Sequence, residues 1–107
     1  MVDTILVALA REAKVVSAAA RARASSVAIE LTGMGPVRAR IGAQRQLAAG
    51  ATSLLSVGFA GALRPPREVG DLLLPDEVTD SLGHRYTVDA NLHSDLSRAL
   101  SAQFRLC

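Results

Sequence analysis

The chain is short of several things, and each shortage excludes something. It has one cysteine, Cys107, in 107 residues. An internal disulfide is impossible, no Cys/His metal-ligand spacing exists, and a reducing compartment is the default. Aromatic residues make up only 3%, with no tryptophan. A nucleic-acid surface built on base stacking therefore has almost nothing to work with. Charge of one sign never accumulates: eleven of the twelve basic residues are Arg, scattered along the chain, and the formal net charge is +2. Long apolar runs are missing too. Thr4 to Ala10 is too short for a signal-peptide core or a membrane span, and Met1-Val2-Asp3 offers no basic leader. The expectation is a cytoplasmic chain with neither nucleic acid nor membrane as partner. Asp71, Asp76, Glu77 and Asp80 lie near His84, but their spacing fits no familiar ligand motif and reads as a solvated strand edge. No metal and no cofactor is expected. His84 and His93 read as surface residues, and Ser56 follows no nucleophile-elbow motif.

What is present is an Ala, Leu, Val and Ile core, in a chain that is half apolar. Its length fits a single domain, residues 1–107, with a modest interior. Thr4 to Leu9 reads as a buried strand. Arg11 to Ala24 reads as a helix with Val15, Val16 and Ala19 on one face. Ser26 to Leu31 predicts a second strand, with Val27, Ile29 and Leu31 sharing a face opposite Glu30. A loop, Gly33-Met34-Gly35, precedes a helix opened by Pro36 and closed near Ala49 by Gly50. Leu54 to Val57 makes a third strand. Strand, helix, strand, helix, strand predicts right-handed parallel crossovers. Leu72 to Leu74 predicts a further strand. Asp76 to Thr79 and His84 to Val88 predict short strands about a Ser81-Leu82-Gly83 turn. A final amphipathic helix from about Asn91 carries Leu92, Leu96, Leu100 and Phe104.

The most informative segment follows the third strand. Gly58 and Gly61 flank Phe59 and Ala60, and a backbone without Cβ atoms after a buried strand lets a ligand come close at the carboxyl edge of an α/β sheet. Gly58-Phe59-Ala60-Gly61-Ala62-Leu63, followed by Gly70-Asp71-Leu72-Leu73, resembles the nucleoside phosphorylase and methylthioadenosine/adenosylhomocysteine nucleosidase superfamily. That family shares a G-x-A-G-x-L turn and a G-D-hydrophobic-hydrophobic element in this order and spacing. The resemblance implies a three-layer αβα fold with a mixed, mainly parallel sheet. It also implies cleavage of the N-glycosidic bond of purine nucleosides, with a nucleoside or purine as partner and either water or phosphate as nucleophile.

Glu12 stands just past the first strand. By position alone it reads as a first-turn carboxylate offsetting the helix dipole. The resemblance implies a catalytic role instead, activating the water that attacks the anomeric carbon. Gly33-Met34-Gly35 matches a glycine-flanked loop over the nucleoside sugar, with Met34 as an apolar wall and Leu9 facing it; Met34 as ordinary core filler is the other reading. Gly58, Phe59, Ala60 and Gly61 would bind the base. Phe59 departs from the pattern, since many relatives carry a small hydroxyl residue there, and a phenyl ring can stack but donate no hydrogen bond. The phosphorylases' G-D-P-G-R-type loop is also absent, with Ala8-Leu9-Ala10-Arg11 in its place.

Members of the family are longer, and their second half supplies a glutamate for the ribose hydroxyls and an aspartate that protonates the purine. Nothing after Asp89 has the composition of those elements. The expectation is a truncated nucleoside phosphorylase-like domain, incomplete by itself, that works as a homo-oligomer or with a C-terminal partner. A non-catalytic nucleoside-binding or oligomerising module with the same fold is the alternative.

Overall fold

A computed structural model describes residues 2–61, 63, 68–104 and 106. Ala62 of the glycine turn and the lone Cys107 lie outside the described residues. The chain falls into two compact units, Met1–Gly61 and Ala62–Cys107.

The first unit is the strand–helix alternation expected. β1 (Thr4–Val7), α1 (Ala10–Ala22), β2 (Ala28–Leu31), α2 (Pro36–Ala48) and β3 (Leu54–Ser56) follow in order. The strands form one parallel sheet in the order β2-β1-β3. Register pairs Ile5 with Ile29 and with Leu55, so β1 is central. β1 sends its chain to one side and β2 sends it back past β1 to the other. With both crossovers right-handed, as parallel connections almost always are, their opposite directions put α1 and α2 on opposite faces, the three-layer arrangement. Glu30 marks the α2 face of β2, because its carboxylate takes the Arg45 guanidinium at 2.8 Å.

The packing is thin. Val7 is the one fully buried large side chain among the described residues, at 1% exposure, beside buried Thr4 and Glu12. Small residues make the helix contacts. A Cβ on Gly42 would stand 2.5 Å from the Thr32 methyl, so α2 approaches β2 through a glycine. α1 is rotated from the face expected. Val15 is 60% exposed and Ala19 is exposed, while Ala13, Val16, Ser17 and Ala20 are half-buried. Glu12 sets this rotation: a buried residue at its position carries 16 and 20, four and eight residues on, to the sheet side.

The amino-terminal edge of the sheet is tied by Asp3. Its carboxylate accepts the Thr52 N–H at 2.9 Å, the Thr52 hydroxyl at 2.8 Å and the Ser53 N–H at 3.3 Å. Those bonds, the Thr52 N–H first, lower its pKa to about 2.

In the second unit, β4 (Glu77–Thr79) and β5 (Arg85–Thr87) form an antiparallel ribbon, and α3 (Ala90–Ser101) follows. The antiparallel part of the structure is therefore this ribbon. Asp80 organises its turn. One oxygen accepts the Leu82 and His84 N–H groups, each at 2.9 Å, and the other meets the His84 ring at 3.0 Å and the Tyr86 hydroxyl at 3.1 Å. Desolvation pushes the Asp80 pKa up, but the bonds from His84, Tyr86 and Leu82 together outweigh it and hold it low. The same hydrogen bond and negative charge raise the Tyr86 pKa. Asp89 caps α3 by accepting the Leu92 N–H at 2.9 Å.

The strand expected over Leu72 to Leu74 is not formed. Leu72 makes a single isolated bridge to Leu106, Leu73 is 44% exposed, and Pro75 has no N–H to extend a ladder. An apolar triplet becomes a strand only beside an edge that pairs along its length, and among the described residues only the single Leu72 bridge forms. α3 also ends before Phe104, which is 50% exposed beyond the helix.

Candidate functional site

All three strands of the sheet are parallel, so their carboxyl ends open on the same edge. Thr32 N–H donates to the Val7 carbonyl at 2.8 Å and Val57 N–H to the Leu6 carbonyl at 3.0 Å. The segments that follow, Ala8-Leu9, Gly33-Met34-Gly35 and Gly58-Phe59, leave this edge together. β1 is where the winding reverses, the crevice position that ligands favour in open α/β sheets.

Glu12 is placed in that crevice by backbone. It is the third residue of α1, after Leu9 at the N-cap, and its Oε1 accepts the Leu9 N–H at 3.0 Å, the reciprocal half of a capping box. Its Oε2 accepts the Phe59 N–H at 2.8 Å. One carboxylate thus joins the ends of β1 and β3 and is only 6% exposed. Gly58 makes this possible, because a Cβ there would lie 2.8 Å from Oε2. The close approach at Gly58 is made by Glu12 itself, whereas a Cβ on Gly61 would meet nothing within 4 Å.

The site residues expected from sequence divide into two groups. Leu9, Glu12, Gly58 and Phe59 are brought together by the two hydrogen bonds just described. Ala60 and Gly61 continue the same segment and are exposed. The Phe59 ring is 74% exposed, while its N–H donates to Glu12. Met34 stands after β2, with β1 between it and Phe59. At 67% exposure it is not core filler. Gly33 and Gly35 have φ of 86° and 95°, and Gly35 turns the chain into α2.

Two residues at this edge were not singled out by sequence. Thr32 donates its hydroxyl to the Gly33 carbonyl at 2.8 Å and fixes the loop's exit from β2. Arg38 folds its side chain over Gly33, where a Cβ would be 2.8 Å from its Cδ. A Thr closing a strand and an Arg one turn into the next helix are the signals, but neither is distinctive without the fold. Among the described residues no group of three or more His, Cys, Asp or Glu side chains gathers as a metal site.

A parallel α/β sheet with a backbone-anchored carboxylate beside a glycine turn at its switch point is the class of arrangement at which open α/β folds generally bind small molecules. The Phosphorylase superfamily model matches residues 20–105, most of the chain, and the chain belongs to that superfamily. The matched segment contains Met34 and Gly58 to Gly61 and begins after Leu9 and Glu12. The comparisons with curated proteins and with solved structures give no match. Membership supports a nucleoside phosphorylase- or nucleosidase-like function in general. No helix among the described residues is long and apolar enough to cross a membrane.

Proposed function

We propose that this chain binds purine nucleosides and carries the base of an N-glycosidic bond-cleaving site, with Glu12 as that base. The observation behind the reading is the Glu12 carboxylate, buried at the switch point and held between the Leu9 and Phe59 N–H groups. Each oxygen spends one lone pair on backbone and keeps another, so a water can be held and deprotonated there. A purine would stack on Phe59 across Gly58 to Gly61, with its sugar toward Met34 and Leu9. Water is the nucleophile in this reading, and phosphate the variant if Arg11 engages an anion.

Residues 1–107 are taken as one nucleoside phosphorylase-like domain, because the family match runs unbroken through both compact units. The first unit supplies a base but no acid for the leaving group. Its carboxylates are Asp3, at the opposite edge with Thr52, Glu30, paired with Arg45, and Glu12. Protonation of the departing purine carries much of the stabilisation of an oxocarbenium-like transition state. Turnover is therefore weak unless a further copy or segment supplies that acid. A cytoplasmic, oligomeric protein without nucleic-acid or membrane partners completes the proposal.

A second reading has its own observation. Both Glu12 oxygens are already used as structural acceptors, as in a non-catalytic nucleoside-binding module where Glu12 is a staple. Calorimetric titration with adenosine, methylthioadenosine and adenine, with adenine release followed in parallel, separates the two. The catalytic reading expects slow adenine release that Glu12→Gln abolishes while binding persists. Binding with no release in either protein supports the module. No binding of any of the three overturns both.

A further inference from the structure

We propose that the outer face of α2 is a docking surface for an acidic amphipathic helix of a partner protein. The helix is built inside out. Its sheet side is Gly42, Ala43 and Gln46, buried or half-buried, whereas Val37 is 70%, Ile41 49% and Leu47 53% exposed. Val37, Ile41, Gln44 and Ala48 recur at i, i+4, i+7 and i+11, which is the spacing of a coiled-coil seam. All four are exposed.

The residues flanking this seam choose the occupant. Arg38 and Arg45 lie along one side, Arg40 and Leu47 along the other, and α2 has no acidic residue. Arg45 is engaged by Glu30 and the Arg38 side chain lies along Gly33, but neither Arg38 nor Arg40 has an acidic partner among the described residues. Pairing two α2 seams, parallel or antiparallel, would set arginine against arginine, and like charge at flanking positions rejects a partner. A helix with an apolar seam and Glu or Asp on both flanks meets the same surface with opposite charge. The seam supplies adhesion, and the arginines supply selection.

The test uses the full chain and two synthetic helical peptides with leucine at the seam positions, one flanked by glutamate and one by lysine. The glutamate peptide should bind at least about tenfold more tightly, and more weakly as salt rises. Ile41→Asp should abolish binding. The double variant R38E/R40E should reverse the preference toward the lysine peptide. Circular dichroism of each variant, all substituted at exposed positions, checks that the fold is retained. Equal binding of both peptides, no binding of either, or α2-mediated self-association that outcompetes the glutamate peptide would each overturn the proposal.

Discussion

At the scale of single residues, Glu12 and Gly58 form one device. Glu12→Gln keeps the shape but turns a donor toward one of two N–H groups. Leaving such a buried donor unsatisfied costs about 1–3 kcal/mol. Urea unfolding should register that loss whether or not Glu12 is catalytic, so stability and adenine release must be measured together. Gly58→Ala attacks the same device from the other side. Its methyl would sit 2.8 Å from Oε2 and push the carboxylate off the Phe59 N–H. A stability loss of about 1–3 kcal/mol should follow, with weakened nucleoside binding, while Gly61→Ala should leave stability unchanged. Asp3 gives a pH signature at the opposite edge. Its folded pKa of about 2 lies below the ordinary 3.8, so its contribution is complete above about pH 4 and is lost as pH falls toward 2. Asp3→Asn should flatten that part of an acid-unfolding curve and lower stability at neutral pH. The place of Glu12, in the first turn of the helix after β1, was legible in the sequence because the apolar run of β1 and the start of α1 are local signals. The role of Gly58 was not. It depends on a contact with a residue far away in sequence, and a glycine reads the same whether it admits a ligand or a neighbouring side chain.

At the scale of elements, sequence periodicity found the strands and helices and misjudged what they face. β1, β2, β3 and α2 fall close to their expected spans, because apolar runs, Pro36 and Gly50 are local signals. The α1 face was misplaced because Ala and Val fill all sides of that helix, leaving its rotation to Glu12. Leu72 to Leu74 failed for a different reason: strand formation needs a partner, which no local pattern reports. The α2–β2 contact yields a prediction at this scale. Gly42→Ala gains about 1 kcal/mol of helix propensity but forces a methyl against Thr32. Thr32 cannot rotate away freely, since its hydroxyl is bonded to the Gly33 carbonyl. Overpacking costs about 1–3 kcal/mol, so Gly42→Ala should destabilise on balance. Thr32→Ser removes the obstructing methyl and keeps the hydroxyl. In a double-mutant cycle, Gly42→Ala should become neutral or stabilising in that background.

At the scale of the whole molecule, the question is what the sheet does with its edges. Among the described residues β2 and β3 each pair on one side only, with β1 between them. Parallel strands are usually buried on both faces and flanked by further strands, so an edge of this kind invites pairing. The Val57 N–H faces β1, and alternation then turns the Ser56 N–H outward. Ser56→Pro removes that outward donor and leaves the bonds to β1 intact, as proline is tolerated on the open side of an edge strand. Sedimentation velocity on the wild type should show association that grows with concentration, and Ser56→Pro should shift it toward the monomer. Charge reversal at Arg38 and Arg40 should leave this self-association unchanged, because the strand edge and the α2 seam are different surfaces. A wild type that stays monomeric at high concentration would remove edge pairing from the account. Under the catalytic reading proposed above, a second copy would then not supply the leaving-group acid, and adenine release by the monomer should stay slow.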